Sequence, residues 1–193
     1  VSAGAAYIFD FDGVLVDTMP AHFESYREAL AEVGVPLDRE RFYYQAGMTG
    51  REQIRYFCQQ AGVQADADRI YARKNELAPK HQDKVTPIPR NLELLRILRA
   101  AGCRTAIASG SSRPSILPVM KRFGIEVDAV VSSEDVARGK PHPDLFLQAA
   151  ARLGVAPESC TVIEDSEVGI QAAQAAGMPV LRYYGRPAAE ASP

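Results

Sequence analysis

The stretch Phe9-Asp10-Phe11-Asp12-Gly13-Val14-Leu15-Val16-Asp17-Thr18 decides how the rest of the chain is read. It closes a short apolar run, residues 7–10, with the length and bounding residues of a buried strand. Side chains two apart on a strand project to the same side, so Asp10 and Asp12 leave the strand end as a carboxylate pair, and Gly13 permits a tight turn. Taken alone, the segment has an alternative reading as an ordinary strand followed by an Asp-Gly turn.

Outward from this stretch, further apolar runs at residues 105–109, 129–132, 161–164 and 180–183 alternate with segments of helical period. Leu92, Leu95 and Leu98 fall on one helical face, as do Ile116, Met120 and Phe123, and then Phe146, Ala149, Ala150 and Leu153. Strands alternating with helices predict βαβ units and a parallel sheet, an α/β fold of the doubly wound, Rossmann-like kind, whose ligands bind at the C-terminal strand edge.

One interval breaks the alternation. Nearly a hundred residues separate the first two strands, too many for a crossover, and a stretch of that length must fold. Phe23, Tyr26, Leu30 and Val33 keep helical spacing up to Gly34, and Ile54, Phe57, Cys58 and Ala61 do so up to Gly62. A weaker helix is expected over 66–77, and Pro79, Pro87 and Pro89 punctuate the return to the sheet. The expected division is therefore a core of residues 1–17 and 86–193 with a small helical insertion at 18–85, hinged near Thr18 and near residues 85–89. The Ala/Pro-rich tail 187–193 reads as loose.

Composition excludes several function classes. The 193 residues carry 47% hydrophobic and 24% charged side chains and a net charge of −2, values of a folded globular chain. No basic stripe offers a groove for nucleic acid, and no apolar run approaches the roughly 20 residues that span a bilayer. Residues 1–6 lack a signal-like basic start, so a cytoplasmic protein is expected, with neither nucleic acid nor membrane as a partner. Cys58, Cys103 and Cys160 form no CxxC pair, and His22, His81 and His142 are too scattered for a zinc site. Any metal falls to the carboxylates.

Three later segments, each after an apolar run, complete the pattern. Ala106-Ile107-Ala108-Ser109-Gly110-Ser111-Ser112 offers hydroxyls and backbone N–H groups of the kind a phosphate oxygen needs, although it also reads as the N-cap run of a helix at Arg113–Phe123. Lys140-Pro141-His142-Pro143-Asp144 stiffens the chain around a lysine that is either a point positive charge for a phosphate or for a nucleophile's carboxylate, or a surface residue, with Asp144 a helix N-cap. Val162-Ile163-Glu164-Asp165-Ser166-Glu167-Val168-Gly169-Ile170 places two more acids at a strand end. Two like charges 4 Å apart repel by about 4 kcal/mol at an effective dielectric constant of 20. Such a cluster, facing a phosphate, requires a cation, and all-oxygen ligation matches Mg²⁺.

Asp-x-Asp-Gly-x-x-x-Asp-Thr, Ser-Gly, Gly-Lys-Pro and Glu-Asp-Ser-x-x-Gly-Ile, in this order, resemble the haloacid dehalogenase superfamily of phosphotransferases. The resemblance implies that Asp10 is the nucleophile, becoming an aspartyl phosphate, and that Asp12 protonates the leaving oxygen and later activates water. It implies that Ser109 and Lys140, with backbone N–H groups near Phe11, Asp12 and Gly110, hold the phosphoryl oxygens. Mg²⁺ would be bound by Asp10, the Asp12 backbone carbonyl, Asp165, and Glu164 directly or through water. The ion-pumping branch carries Thr in place of the second Asp, so Asp12 implies turnover rather than a stalled phosphoenzyme.

In this family a helical insertion after the first motif is a cap that closes over the site and selects substrate. Asp17-Thr18-Met19-Pro20-Ala21-His22 resembles the β-phosphoglucomutase and hexose-phosphate phosphatase branch, making His22 a candidate proton relay or sensor of closure. Gly47-Met48-Thr49-Gly50-Arg51-Glu52 resembles that branch's Gly-x-Ser-Arg-Glu, one residue longer, and Arg73-Lys74-Asn75 resembles a second cap segment. Arg51 and Lys74 are thus candidate substrate ligands, each with a solvated helix face as the alternative. Ser112 stands where the mutase carries an extra lysine. The expectation is a monomeric Mg²⁺-dependent phosphatase of small phosphorylated metabolites, sugar phosphates foremost, with a β-phosphoglucomutase-like mutase as the alternative. A phospho-accepting signalling module is a distant third, because Asp10 and Asp12 share the first strand and a long insertion follows. No Gly-x-Gly-x-x-Gly supports a dinucleotide-binding domain.

Overall fold

The computed structural model of the protein describes residues 5–45 and 50–184. The described residues divide into two compact units, 5–17 with 87–184, and 18–45 with 50–86.

In the first unit β1 (Ala6–Phe9) runs into the acidic stretch, and β2 (Val16–Asp17) follows. The second unit contains α1 (Met19–Ala31), α2 (Arg39–Tyr44), α3 (Gly50–Gln60) and α4 (Ala67–Leu77), then a 3₁₀ segment at Ala78–Lys84. After β3 (Thr86–Pro87) the first unit resumes with α5 (Pro89–Ala100), β4 (Arg104–Ala108), α6 (Arg113–Phe123) and β5 (Ala129–Val131). It ends with α7 (Asp144–Leu153), β6 (Cys160–Glu164), α8 (Glu167–Ala175) and β7 (Val180–Arg182).

The large sheet has the order β5-β4-β1-β6-β7, while β2 and β3 pair as a separate two-stranded sheet. All pairings in the large sheet are parallel, and β1 lies at its centre, where the order reverses. Phe9 is in register with Ile107 on one side and Ile163 on the other, so the next residue, Asp10, stands level with Ala108 and Glu164. This reversal point is where an open parallel sheet splays a crevice beyond its C-terminal edge.

A parallel sheet covered on both faces has near-continuous apolar strands, as here. Ile8, Ala106, Ala108 and Val162 pack with Leu145, Phe146, Ala149 and Ala150 of α7 and with Ala172 and Ala173 of α8. Phe9, Ile107 and Ile163 point to the opposite face by strand alternation and are buried too. The helical unit has its own core, in which Phe23, Tyr26, Leu30, Phe42, Ile54, Phe57 and Ile70 come together. Phe42 anchors it, with ring centroids 5.6 Å from Phe23 and 5.4 Å from Tyr26.

The α/β reading of the sequence holds, each expected sheet strand lying within about a residue of its observed position. Departures concentrate at helix ends and in the helical unit. Val33 and Ala61, expected on buried stripes, are exposed, because α1 stops at Ala31 and α3 at Gln60 and the stripe ends where the helix unwinds. The short α2, the 3₁₀ segment and the β2–β3 pair carry too few residues to show a period. Asp144 is not an N-cap; it sits in the first turn of α7 and accepts a two-pronged bond from Arg138 at 3.0 and 2.8 Å.

Replacing the fully buried Phe42 by alanine removes the ring that joins α1 to α2. The variant is expected to lose about 3–5 kcal/mol, read as a lowered urea midpoint by circular dichroism.

Candidate active site

The site begins where β1 ends. Asp10 N–H still follows the strand, donating to Ile163 O at 2.9 Å, and then the backbone turns sharply. Gly13 adopts φ +86°, its N–H donates to Val16 O at 2.7 Å, and Leu15 and Val16 N–H both return to Phe11 O at 3.1 Å. Only glycine suits this position twice over. Its positive φ disfavours a side chain, and a Cβ there would overlap the Asp165 carboxylate.

Lys140 reaches the same place from the loop between β5 and α7. Its Nζ donates to Asp10 Oδ1 and to Glu164 Oε2, both at 2.7 Å, with the lysine side chain 11% exposed and the two carboxylates 8% and 0%. A cis Lys140–Pro141 peptide follows it. The ring of Phe146, from the first turns of α7, lies 5.2 Å beneath the ammonium. The other oxygen of Glu164 accepts from Asp165 N–H at 3.1 Å, Ser166 N–H at 3.0 Å and Ser166 Oγ at 2.8 Å. Gly169 leaves the room for that carboxyl, since a Cβ there would overlap it.

One ammonium serves several acids, and the ionisation of the group reflects this. Burial pushes the Asp10 carboxyl well up, Lys140 pulls it back, and Glu164 and Asp12 add to the rise. Burial also works against the Lys140 charge, but Asp10 and Glu164 outweigh it and hold the ammonium above its ordinary range. Glu164 is pushed up by burial and brought below its ordinary value by Lys140 and Ser166. Asp165 is pushed up to about 6 by burial and by the neighbouring Glu164.

Asp10, Glu164 and Asp165 offer carboxylate oxygens within 4.8 Å of one another. An all-oxygen donor set short of positive charge suits a hard divalent cation, so the residues present fit one. Glu164 already has both oxygens hydrogen-bonded, which leaves Asp10 and Asp165 as the more available ligands.

On the other side of β1, Asp12 turns to the end of β4. Its Oδ2 accepts from Ser109 Oγ at 2.9 Å and from Ser111 Oγ at 2.7 Å. These two hydroxyls do not cap α6. Ser112 occupies the N-cap position without a capping bond and pairs instead with Ser115 Oγ at 3.0 Å. Gly110, between the two serines that bind Asp12, is exposed, and Phe11 is buried.

Sequence reading did not single out the carboxylate that braces this loop. Asp135, beyond β5, accepts from Ser132 N–H and Oγ at 2.8 and 2.9 Å, from Arg113 at 2.7 and 2.8 Å, and from Arg152 of α7 at 2.6 Å. It thereby ties the start of α6, the end of β5 and the helix after Lys140. Locally only the Ser132-x-x-Asp135 capping box marks it, because its arginine partners lie 17 and 22 residues away.

The helical unit places its candidates differently. Arg51 is exposed, ion-paired with Asp68 and stacked over Tyr71 at 4.6 Å. Lys74, a candidate substrate ligand with a solvated helix face as the alternative, is only 6% exposed, its Nζ 5.2 Å from the Tyr26 ring centroid and 5.8 Å from that of Tyr71. Gly50 fits where the Tyr26 hydroxyl and the Tyr71 ring approach α3. His22 is half-buried on α1. Gly47, Met48 and Thr49 of the expected cap motif lie outside the described residues.

The Haloacid dehalogenase-like hydrolase family profile matches residues 7–183. The chain belongs to that family. It is 35% identical over 184 residues to the β-phosphoglucomutase of Bacillus subtilis, covering 90% of this chain and 80% of that protein. It is also 35% identical over 187 residues to the fructose-1-phosphate phosphatase YqaB of Escherichia coli, covering 92% and 95%. Among solved structures, a HAD family hydrolase from Deinococcus radiodurans with bound phosphate and sodium superposes with a TM-score of 0.73 at 35% identity, covering 96% of this chain and 84% of that one. The chain is therefore a HAD-superfamily hydrolase with phosphatase and phosphomutase relatives. No helix among the described residues is long and apolar enough to cross a membrane.

Asp135 supplies a pH test. Hydrogen bonds from Arg152 and Ser132 hold its carboxyl well below the usual carboxylate range. A depressed group contributes stability above its unfolded value of about 3.9, and that contribution is lost as pH falls toward the folded value. Asp135→Asn should be less stable than the parent at pH 7, with the gap in urea midpoint narrowing below about pH 4.

Proposed function

We propose that this protein is a Mg²⁺-dependent phosphatase that hydrolyses small phosphorylated metabolites, sugar phosphates foremost, through an aspartyl phosphate on Asp10. The observation that carries the reading is Lys140 Nζ at 2.7 Å from the buried Asp10, with the Asp12 carboxylate held two residues on by Ser109 and Ser111. A buried carboxylate beside a fixed cation, followed by a second carboxylate with separate partners, is a nucleophile and an acid–base group in one turn.

In the first step an Asp10 carboxylate oxygen bonds to phosphorus and the phosphorus–oxygen ester bond breaks. Its electron pair stays on the leaving oxygen, which takes a proton from Asp12. In the second, Asp12 removes a proton from water as the water oxygen bonds to phosphorus, and the Asp10–phosphorus bond breaks to release inorganic phosphate. Lys140 and Ser109, with the backbone N–H groups of Phe11, Asp12 and Gly110, hold the phosphoryl oxygens. Asp10, Asp165 and the Asp12 carbonyl would hold Mg²⁺, with Glu164 behind them, and the ion when bound would neutralise charge on the phosphoryl group. Arg51, Lys74 and His22 are the candidates for contacts with the rest of the substrate. A phosphomutase differs only in delivering the phosphoryl group to a sugar hydroxyl instead of water, and the resemblance to β-phosphoglucomutase favours it as the second reading.

Phosphorus NMR with Mg²⁺ and a panel of sugar phosphates, including β-glucose 1-phosphate and fructose 1-phosphate, separates the two. Growth of inorganic phosphate that stops on chelation is expected. A new sugar-phosphate resonance without free phosphate would mean a mutase. Asp10→Asn should lower kcat by at least about 10³-fold with the fold intact, and unchanged turnover would remove Asp10 as nucleophile.

A further inference from the structure

Ser111 has no part in the steps above, yet it makes the shorter of the two hydrogen bonds to Asp12, 2.7 Å against 2.9 Å from Ser109. Its backbone N–H also donates to Ser109 Oγ at 2.9 Å, so one serine orients the other. Its carbonyl is fixed in turn by Ser133 N–H at 3.1 Å.

A hydroxyl has one hydrogen to donate. Ser109 therefore cannot serve Asp12 and a phosphoryl oxygen together. When a phosphoryl group takes the Ser109 hydrogen, Asp12 loses one of its two side-chain donors at the moment its direction matters. The geometry points to Ser111 as the positioning residue that keeps the Asp12 carboxyl aimed while Ser109 turns to the phosphoryl group. This rests on the reading of Asp12 as the acid and base.

The step affected is the first. Asp10 oxygen bonds to phosphorus, the ester bond breaks with its electron pair on the leaving oxygen, and that oxygen receives the Asp12 proton. An alkoxide leaving group needs that proton, whereas 4-nitrophenolate departs without it. A role confined to folding or to phosphate binding would affect both ester types alike. Because kcat/KM covers events only through leaving-group departure, the later hydrolysis does not enter the comparison.

The experiment measures kcat/KM for a sugar phosphate and for 4-nitrophenyl phosphate, with Mg²⁺, in the parent, Ser111→Ala and Ser111→Thr, each checked for fold by circular dichroism. Ser111→Ala should lose at least about tenfold more on the sugar phosphate than on the aryl ester, and Ser111→Thr should keep the parent ratio within about threefold. Equal losses on the two esters, or an unchanged ratio, would overturn the proposal. Should the alanine variant fail to fold, Ser111→Cys, close in shape and a far weaker donor, tests the same ratio. A folded parent that hydrolyses neither ester overturns the phosphatase reading itself, and an Asp12→Asn variant that spares the sugar phosphate overturns the acid–base role. Either result removes the Ser111 proposal with it.

Discussion

Carboxylates brought together at the ends of neighbouring parallel strands repel one another, and Lys140 is the side chain that lets them stay. Its ammonium bridges Asp10 and Glu164 at 2.7 Å each in a setting almost closed to water. Like charges at 4 Å cost about 4 kcal/mol even at a dielectric constant of 20, a large share of a typical domain's stability. Against the burial that opposes it, ionisation of the carboxyls at the end of β1 and the end of β6 is favoured by the lysine's charge. With it, Asp165 is still left partly uncompensated, its carboxyl pushed up to about 6, so the arrangement favours a further cation.

The sheet supplies the precision that this balance requires. Register sets Asp10 level with Glu164, so the distance Lys140 must span is fixed by strand spacing and not by loops. Two glycines then remove the last obstacles, Gly13 beneath the Asp165 carboxyl and Gly169 beside that of Glu164. Backbone is thus shaped around acids, the reverse of the more common case in which side chains fill space left by backbone.

Much of this was legible in the chain because it is written locally. Apolar runs closed by polar residues gave the sheet strands to within a residue or so, and Asp10, Asp12, Ser109, Glu164 and Asp165 each stand at the end of one. What could not be read is what depends on distant partners. Lys140 taken singly has the sequence signature of a surface lysine, and only the set of motifs together points it at a carboxylate; its burial follows from contacts 130 and 24 residues away. Asp135 reads locally as no more than a capping box and joins three segments through distant arginines, and Ser111 differs from its neighbour Ser112 only in which way the turn aims its hydroxyl. In the helical unit, Lys74 shares the buried face of α4 with Ala67, Ile70 and Leu77 and has its ammonium against two tyrosine rings. A lysine stem buries readily while its ammonium finds π faces, and the helical spacing shows the buried face but not the Tyr26 ring, which comes from another helix.

The β2–β3 pair has an architectural meaning of its own. The chain departs at Asp17 and resumes at Thr86, and the strands that carry these two crossings are hydrogen-bonded partners in one small sheet. Hydrogen-bonded strands lie about 4.8 Å apart, so everything between them is a detour whose ends nearly touch. Such a detour is a cassette in form: its ends are adjacent, and the strands whose register sets Asp10 against Glu164 lie outside it. The acidic cluster and the insert therefore occupy separate stretches of the chain.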